Sequence, residues 1–300
     1  MMFVVLWSQM LVIIISILFA VAFFSLFERK LLSLSQIRKG PNKVSLKGIL
    51  QPMGDAIKLV TKLTYAPNLS NYFIYWLSPL FILLLTILIW IVVPMSIKSL
   101  HINNSGVLIL TLMSLMALPN IFSGWYSNSS YSIMGAIRNI AQTISFEITL
   151  SFSLFILFLV IQSFNMETFI HFQKWTWLCW MMPWLFIIIL ITFLAESGRS
   201  PFDLPEGESE LVSGYTIEYG GIHYTLIFLG ENLAVMFTAM IMSHMICGGT
   251  NAMKVALIVS LIVFIRSSFP RMRYDRLMSL NWIIILPILI AIVGPISVMI

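Results

Sequence analysis

Long apolar runs recur along the whole chain and constrain its fold more than any other feature. Hydrophobic residues make up 59% of the sequence and charged residues 10%, whereas roughly a quarter of an ordinary soluble domain is charged. The sequence predicts an all-α integral membrane protein, because helices satisfy their backbone polar groups within each segment. Eight runs approach the roughly 20 apolar residues that span a bilayer core: 2–27, 72–97, 106–124, 139–164, 177–195, 222–247, 252–269 and 279–300.

The first run and the basic residues indicate how these spans are arranged. Residues 2–27 contain no basic residue and no small-residue cleavage pattern, so we expect a retained span rather than a cleaved signal. With eight spans, 14 of the 17 Lys and Arg residues fall on one side of the membrane and three on the other. By the positive-inside rule the basic side is the inner one, and both termini lie outside.

A shorter amphipathic stretch follows the first run. Between residues 44 and 63, apolar residues recur with a helical period, while charged residues such as Lys47 and Asp55 fall on the opposite face. This stretch is too short and too polar to span a bilayer, so it predicts an in-plane helix, kinked at Pro52 and Gly54. Such a helix could anchor the chain to the membrane surface or form one wall of an entrance for a lipid-like ligand.

Acidic residues are concentrated between the fifth and sixth runs, mostly in a predicted inner loop at about residues 196–221 that we call the acidic segment. Seven of the 12 acidic residues lie within 36 positions: Glu196, Asp203, Glu206, Glu208, Glu210, Glu218 and Glu231. A solvated loop is one explanation, but Glu231 and also Glu147 lie inside apolar runs. Each ionised residue near the bilayer centre costs about 2.5–3.5 kcal/mol, so these two are functional candidates. Carboxylates held close together shift one another's pKa, and a chain of such groups can pass protons near neutral pH.

Several familiar sites have no counterpart in the sequence. Cys179 and Cys247 show neither disulfide nor metal-cluster spacing, and the four histidines lack the paired spacing of a membrane haem. There is no Gly-rich phosphate loop. Basic residues flank the spans instead of clustering on a soluble face, which argues against nucleic-acid binding. Redox cofactors and nucleotides are therefore expected on other subunits.

Four blocks of the sequence are similar to one family. The run PFDLPEGESELVSG (201–214) is the most specific, and residues 28–62, 138–151 and 269–282 agree with it. Over its whole length the chain resembles the family of subunit 1 of mitochondrial NADH:ubiquinone oxidoreductase, respiratory complex I, which is homologous to the bacterial H-type subunit. Four positions depart from the usual pattern and affect loop and wall details: Ser45, Leu63, Gly198 and Asn232.

The resemblance implies a core membrane subunit of a proton-translocating oxidoreductase, one that forms much of a ubiquinone chamber and is not catalytic alone. It also implies the mitochondrial inner membrane, with both termini in the intermembrane space and the charged loops facing the matrix. Ubiquinone would be the substrate, and FMN and iron–sulfur clusters would lie on partner subunits. The implied partners are the iron–sulfur and quinone-module subunits on the inner face, the antiporter-like membrane subunits and the lipid bilayer.

The resemblance assigns residues to two groups and leaves no residue directly catalytic or metal-binding. A carboxylate path that couples quinone reduction to proton pumping would contain Glu147, Glu196, Asp203, Glu206, Glu208, Glu210, Glu218 and Glu231. The quinone chamber would contain Arg29, Asp55, Arg138, Arg199, Phe228 and Arg273.

Three alternative functions remain open at this point. The membrane-anchor subunit of an energy-converting hydrogenase would share the acidic loop. A secondary transporter would show internal repeats with paired broken helices, and the acidic loop has no counterpart in the first half of the chain. A purely structural anchor for a soluble arm would leave Glu147 and Glu231 without a role.

Overall fold

A computed structural model describes residues 2–93, 104–205, 207 and 213–299. These residues form helices and turns without any β-strand, which confirms the all-α prediction. The helices are α1 (Met2–Ser35), α2 (Gln51–Val60), α3 (Tyr72–Val92), α4 (Ser105–Tyr126), α5 (Ser130–Ile161), α6 (Met166–Phe172), α7 (Leu178–Met181), α8 (Pro183–Glu196), α9 (Gly221–Ile246), α10 (Ala252–Ser268), α11 (Tyr274–Ser279) and α12 (Leu286–Met299). A π-helix (Leu280–Ile285) joins α11 to α12, and short 3-10 turns lie at Leu46–Gly48 and Gly214–Thr216.

Six helical segments in the described part of the chain are long and apolar enough to cross a membrane. They are Ser8–Ser35, Tyr72–Val92, Ser105–Tyr126, Ser130–Ile161, Gly221–Ile246 and Tyr274–Val298. The predicted fifth and seventh runs correspond to shorter helices, because α8 has 14 residues and α10 has 17. With a rise of 1.5 Å per residue, α8 is about 21 Å long, less than the roughly 30 Å of a bilayer core. That all eight runs cross the bilayer stays a prediction.

The fifth run is continuous in sequence but forms two helices. Met182, between α7 and α8, has φ −135° and ψ 68°, outside the helical region. Pro183 explains the break, because the proline ring disfavours a helical conformation of the preceding residue. Proline is at the same time well suited to the first position of a helix, where its missing N–H has no partner to lose, and α8 therefore begins there.

The amphipathic stretch predicted at residues 44–63 forms a shorter helix than expected. Helix α2 begins at Gln51, so Pro52 lies in the first turn, where proline starts a helix instead of kinking it. The expected kink at Pro52 and Gly54 is wrong for this reason. Two apolar side chains of α2, Ile57 and Val60, are 66% and 53% exposed, which is typical of a helix that lies on a membrane surface.

Helix α9 lies at the centre of the molecule. Every residue from Phe237 to Ile246 is buried, as expected for a helix that is covered on all sides. Helices α1, α3 and α10 pack against it. Helix α5, the neighbour of α4, α8 and α12, forms the second central element, and the candidate site lies between these two helices.

Candidate functional site

Three of the predicted path carboxylates meet at one cavity between the helices. Glu147 of α5, Glu196 of α8 and Glu231 of α9 all line a cavity of about 80 Å³. Asn120, Asn139, Thr143 and Tyr215 add polar groups to its wall. A volume of this size can hold several water molecules, but it is smaller than the 300–1,000 Å³ that is usual for a ligand pocket. The site therefore suits water and protons better than an organic substrate.

A second cavity adjoins the first at the same carboxylates. It has a volume of about 220 Å³ and is lined by Leu110, Thr111, Met113, Ser114, Glu147, Leu150, Ser151 and Glu196. Glu147, Glu196 and Met113 belong to the walls of both cavities. Glu147 and Glu196 thus line both cavities. The first cavity extends to Glu231, and the second extends along residues of α4 and α5.

Glu147 faces the cavity because of the residue spacing along α5. Asn139, Thr143 and Glu147 follow one another at intervals of four, so they lie on one face of the helix. All three side chains line the cavity, whereas Ile137 and Ile144 are about half exposed, at 52% and 48%. A polar stripe inside an apolar helix is the sequence signal that could have found Asn139 and Thr143.

Glu196 is held at the start of the acidic segment by a buried glutamine. Gln142 Nε2 donates hydrogen bonds to the backbone oxygens of Ala195 and Phe202, each at 2.7 Å. One side chain of α5 thereby fixes the end of α8 and the turn that follows it. Among the described residues, no group hydrogen-bonds to the buried Oε2 of Glu196. A buried carboxylate oxygen is costly without a polar partner, and this one belongs to the polar wall of the cavity.

Glu231 contacts a residue that the sequence analysis did not single out. The Tyr215 hydroxyl donates a hydrogen bond to Glu231 Oε1. Tyr215 lies in the 3-10 turn Gly214–Thr216, and Gly214 has a φ of 56°, in the left-handed region that favours glycine. A Cβ at Gly135 of α5 would lie 2.8 Å from the Tyr215 backbone nitrogen. Glycine at position 135 therefore lets the turn approach α5 closely enough for the ring to reach Glu231.

A pair of stacked tyrosines fixes the end of the acidic segment on α3. The rings of Tyr75 and Tyr219 lie 4.4 Å apart with an angle of 9° between their planes. The Tyr75 hydroxyl donates to the backbone oxygen of Glu218 at 2.7 Å, and the Tyr219 hydroxyl lies 3.0 Å from that of Ser78. Burial raises the pKa of Tyr219, so this hydroxyl stays protonated and serves as a structural hydrogen-bond group.

Two further path carboxylates in the described part of the chain lie away from the cavity. Asp203 and Glu218 are half-buried in the same segment, but neither belongs to the cavity wall among the described residues. Glu206, Glu208 and Glu210 lie outside the described residues.

Two predicted chamber residues meet between α1 and α2. Arg29 Nη1 and Asp55 Oδ2 form a salt bridge of 2.6 Å. Gln51 Nε2 adds a hydrogen bond of 2.9 Å to the other oxygen of Asp55. Helix α2 is thereby tied to the end of the first predicted span, close to the ion pair that Arg266 of α10 forms with Glu28. Sequence reasoning missed that pair, because its members are 238 positions apart.

The other predicted chamber residues are dispersed. Arg199 Nη2 donates to Asn232 Oδ1 at 2.8 Å, so one of the positions that depart from the family pattern holds this guanidinium. Phe228 stacks on Tyr224 with the ring centres 6.3 Å apart. Arg138 is half-buried on α5. Arg273 pairs with Asp275 at 3.1 Å, and both side chains are strongly exposed.

Apolar helices around a group of half-buried carboxylates define an integral membrane protein with a polar site between its helices. The chain belongs to the NADH dehydrogenase family, which it matches over residues 8–296. It is 43% identical to the NADH-ubiquinone oxidoreductase chain 1 of Locusta migratoria, in an alignment that covers 93% of this chain and 90% of the relative. The proteins of the same name from Aedes aegypti and Paracentrotus lividus are 40% and 39% identical, with 92% and 93% of this chain and 90% and 91% of the relative covered.

Proposed function

We propose that this chain forms the start of a proton path in a ubiquinone-reducing NADH oxidoreductase, and that Glu147, Glu196 and Glu231 are its first carboxylates. The family and the names of the relatives support a core membrane subunit of that enzyme in the mitochondrial inner membrane. The observation that carries the proton path is the meeting of three carboxylates, from three different helices, at one cavity. Because an intramembrane carboxylate is costly to insert, three at one place favour a function over chance.

The proposed chemistry is proton movement through carboxyl groups and water. A carboxylate accepts hydrogen bonds only, and its protonated form also donates one. Glu147 and Glu196 stand between the two cavities, so a proton bound by either could leave on the opposite side. Reduction of a quinone takes up protons and alters the charge nearby, and neighbouring carboxyl groups respond through their pKa values.

A ubiquinone chamber is the second part of the proposal. Helices α1, α2 and α9 pack together, and Arg29 and Asp55 lie where α1 meets α2. An added Cβ at Gly221, where α9 begins, would lie 2.8 Å from the backbone oxygen of Lys62, so the segment after α2 abuts α9 closely. The exposed apolar side chains of α2 suit the isoprenoid tail of a quinone that enters from the membrane. FMN and iron–sulfur clusters are assigned to partner subunits on the matrix face, where the basic and acidic loops would lie.

The two alternative functions, a hydrogenase anchor subunit and a secondary transporter, receive less support. The relatives are named as chain 1 of NADH-ubiquinone oxidoreductase over about nine-tenths of both chains, and no hydrogenase or transporter is needed to explain the cavity. A transporter would also require a second broken helix at the position matching the α7–α8 break. In the described part of the first half, α3 and α4 continue through Pro79 and Pro119.

Replacement of Glu147 or Glu231 by Gln in the assembled oxidoreductase tests the proton path. We expect NADH:ubiquinone reduction coupled to proton uptake to fall by about 100-fold or more, as for the loss of a general acid–base group. NADH oxidation by an artificial acceptor that bypasses the quinone should be unchanged. The matched control is Glu167→Gln, because Glu167 lies in the first turn of α6, beyond the other end of α5. Full coupled activity in both cavity variants would refute the proton path.

A further inference from the structure

Tyr215 contacts the cavity carboxylate Glu231 directly, and its position is set independently of that contact. Its side chain is 4% exposed and lines the cavity beside Glu231. A Cβ at Gly124 of α4 would lie 2.6 Å from Ala136 Cβ and 3.1 Å from Tyr215 Cβ. Gly124 and Gly135 therefore form a seat for the turn Gly214–Thr216 between α4 and α5.

The position of Glu231 is also set by contacts of its own helix. Gly230, its neighbour in α9, would place an added Cβ 2.5 Å from Ile82 Cγ2 of α3. This close approach fixes α9 against α3 at the level of Glu231. The hydrogen bond between Tyr215 and Glu231 thus joins two independently held elements, and it connects the end of the acidic segment to the middle of the central helix.

A phenol hydroxyl suits a carboxyl group that changes its protonation state. The hydroxyl can donate to a carboxylate and can accept from a protonated carboxyl group. It can therefore stay bonded to Glu231 in either state, provided that the hydroxyl rotates. A phenylalanine ring of the same shape would fill the seat and offer neither bond.

We propose that Tyr215 is a positioning residue for Glu231: it holds this carboxyl group at the cavity wall in both of its protonation states. The inference rests on the proposed proton path, because it assigns to Tyr215 a role that acts only through Glu231. The titratable groups that line the same cavity among the described residues are Glu147, Glu196, Glu231 and Tyr215 itself.

The first experiment replaces Tyr215 by Phe in the assembled oxidoreductase. We expect the turnover number of coupled ubiquinone reduction to fall about tenfold, the size expected for one hydrogen bond to a charged group, with an unchanged KM for ubiquinone. Infrared difference spectra of quinone reduction should show a shifted carboxyl band, assigned to Glu231 by its loss in Glu231→Gln. The matched control is Tyr219→Phe, whose hydroxyl bonds to Ser78 and backbone oxygens, and which should leave that band in place.

A double variant separates this inference from the proton path itself. If Tyr215 acts through Glu231, Tyr215→Phe should cause no further loss when Glu231→Gln is already present. Full activity of Glu231→Gln would overturn the proton path at Glu231. An impaired Glu231→Gln together with a fully active Tyr215→Phe, or an additional tenfold loss in the double variant, would overturn only the role of Tyr215.

A measurement on the unaltered protein decides the question if Tyr215→Phe lowers the amount of assembled enzyme. Tyrosine labelled with heavy isotopes is introduced into the whole complex, and the infrared difference spectrum of quinone reduction is recorded. We expect a label-sensitive tyrosine band to change together with the Glu231 carboxyl band. A Glu231 band that changes without any tyrosine band would overturn the inference.

Discussion

The cavity and the junction of α1 with α2 both contain carboxylates, but the partners of these carboxylates differ in charge. At the junction, Asp55 is paired with Arg29 and also accepts a hydrogen bond from Gln51, and its side chain is 34% exposed. At the cavity, Glu231 is bonded to a neutral tyrosine, and Glu196 has a buried oxygen beside the wall of two cavities. An ion pair fixes a charge, whereas a neutral partner allows it to come and go. The difference indicates a structural role for the junction and a chemical role for the cavity.

The largest effect is expected when the space beside Gly135, which receives the turn Gly214–Thr216, is filled. This change removes the contact between Tyr215 and Glu231 at the cavity. In Gly135→Leu, the Cβ alone would lie 2.8 Å from the Tyr215 backbone nitrogen, so the turn must move and carry Tyr215 away from Glu231. Overpacking of this kind costs about 1–3 kcal/mol or more. We expect little assembled enzyme and no coupled activity, measured by native electrophoresis and quinone reduction.

The control for that substitution is a glycine with open space around it. Gly54 lies inside α2, and an added Cβ would meet nothing within 4 Å. Gly54→Ala should stabilise α2 by up to about 1 kcal/mol through helix propensity and leave activity intact. Normal assembly of Gly135→Leu would show that the turn is not seated as described.

A smaller effect is expected when the two hydrogen bonds that Gln142 donates to the backbone of Ala195 and Phe202 are removed. Gln142→Leu removes the side-chain donor from the backbone oxygens of Ala195 and Phe202. Both oxygens keep a backbone donor, Gly198 N and Leu204 N, so each lost bond costs about 0.5–1.5 kcal/mol. The thermal midpoint of the assembled enzyme should fall, and coupled quinone reduction should fall with it, because Glu196 adjoins Ala195.

The matched glutamine at the other end of the molecule sharpens this test. Gln173 is buried as well, and its Nε2 donates to the backbone oxygen of Met245 at 2.6 Å. Gln173→Leu should lower the thermal midpoint to a smaller extent, because one bond is lost instead of two. It should leave the turnover number unchanged in the enzyme that remains folded. Equal losses of turnover in the two variants would contradict the prediction that the acidic segment contributes to turnover.

The sequence predicted the helices and the main carboxylates, because both follow from local composition. Apolar length predicted eight spans, and six segments in the described part of the chain are long and apolar enough to cross a membrane. Glu147 and Glu231 stood out as charges within apolar runs. The sequence analysis missed the break before Pro183 and the start of α2 just before Pro52, although both are caused by a proline. Proline is accommodated in the first turn of a helix and disfavours a helical conformation of the residue before it. Where a helix begins depends on the fold, because α3 and α4 continue through Pro79 and Pro119 whereas α8 begins at Pro183.

Contacts between distant segments could not be predicted from one sequence. Tyr215 reads as an ordinary aromatic residue after a loop, and only the close approach at Gly135 brings it to Glu231. The pair of Arg266 and Glu28 depends in the same way on the packing of α10 against α1. The polar stripe of Asn139, Thr143 and Glu147 is different, because its spacing of four was readable in advance.

The smallest expected effects concern the exposed ion pairs, and they test the junction side of the comparison. Arg29 and Asp55 are 47% and 34% exposed, whereas Arg273 and Asp275 are 81% and 70% exposed. Exposed pairs contribute about 0.2–1 kcal/mol, and the contribution decreases with salt. A double-mutant cycle with Arg29→Gln and Asp55→Asn should therefore give a small coupling energy that disappears at high salt.

The corresponding cycle with Arg273→Gln and Asp275→Asn should give a coupling energy close to zero, because water screens both of these side chains almost completely. Thermal midpoints of the assembled enzyme at low and high salt measure the two cycles side by side. If the pair between Arg29 and Asp55 acts only as a structural tie, the single variants will keep most of their turnover with ubiquinone. Their KM for ubiquinone is a separate measure of the chamber. A loss of turnover as large as that of Glu231→Gln would mean that the charge of Asp55 changes during the reaction, and the contrast between the junction and the cavity would then be wrong.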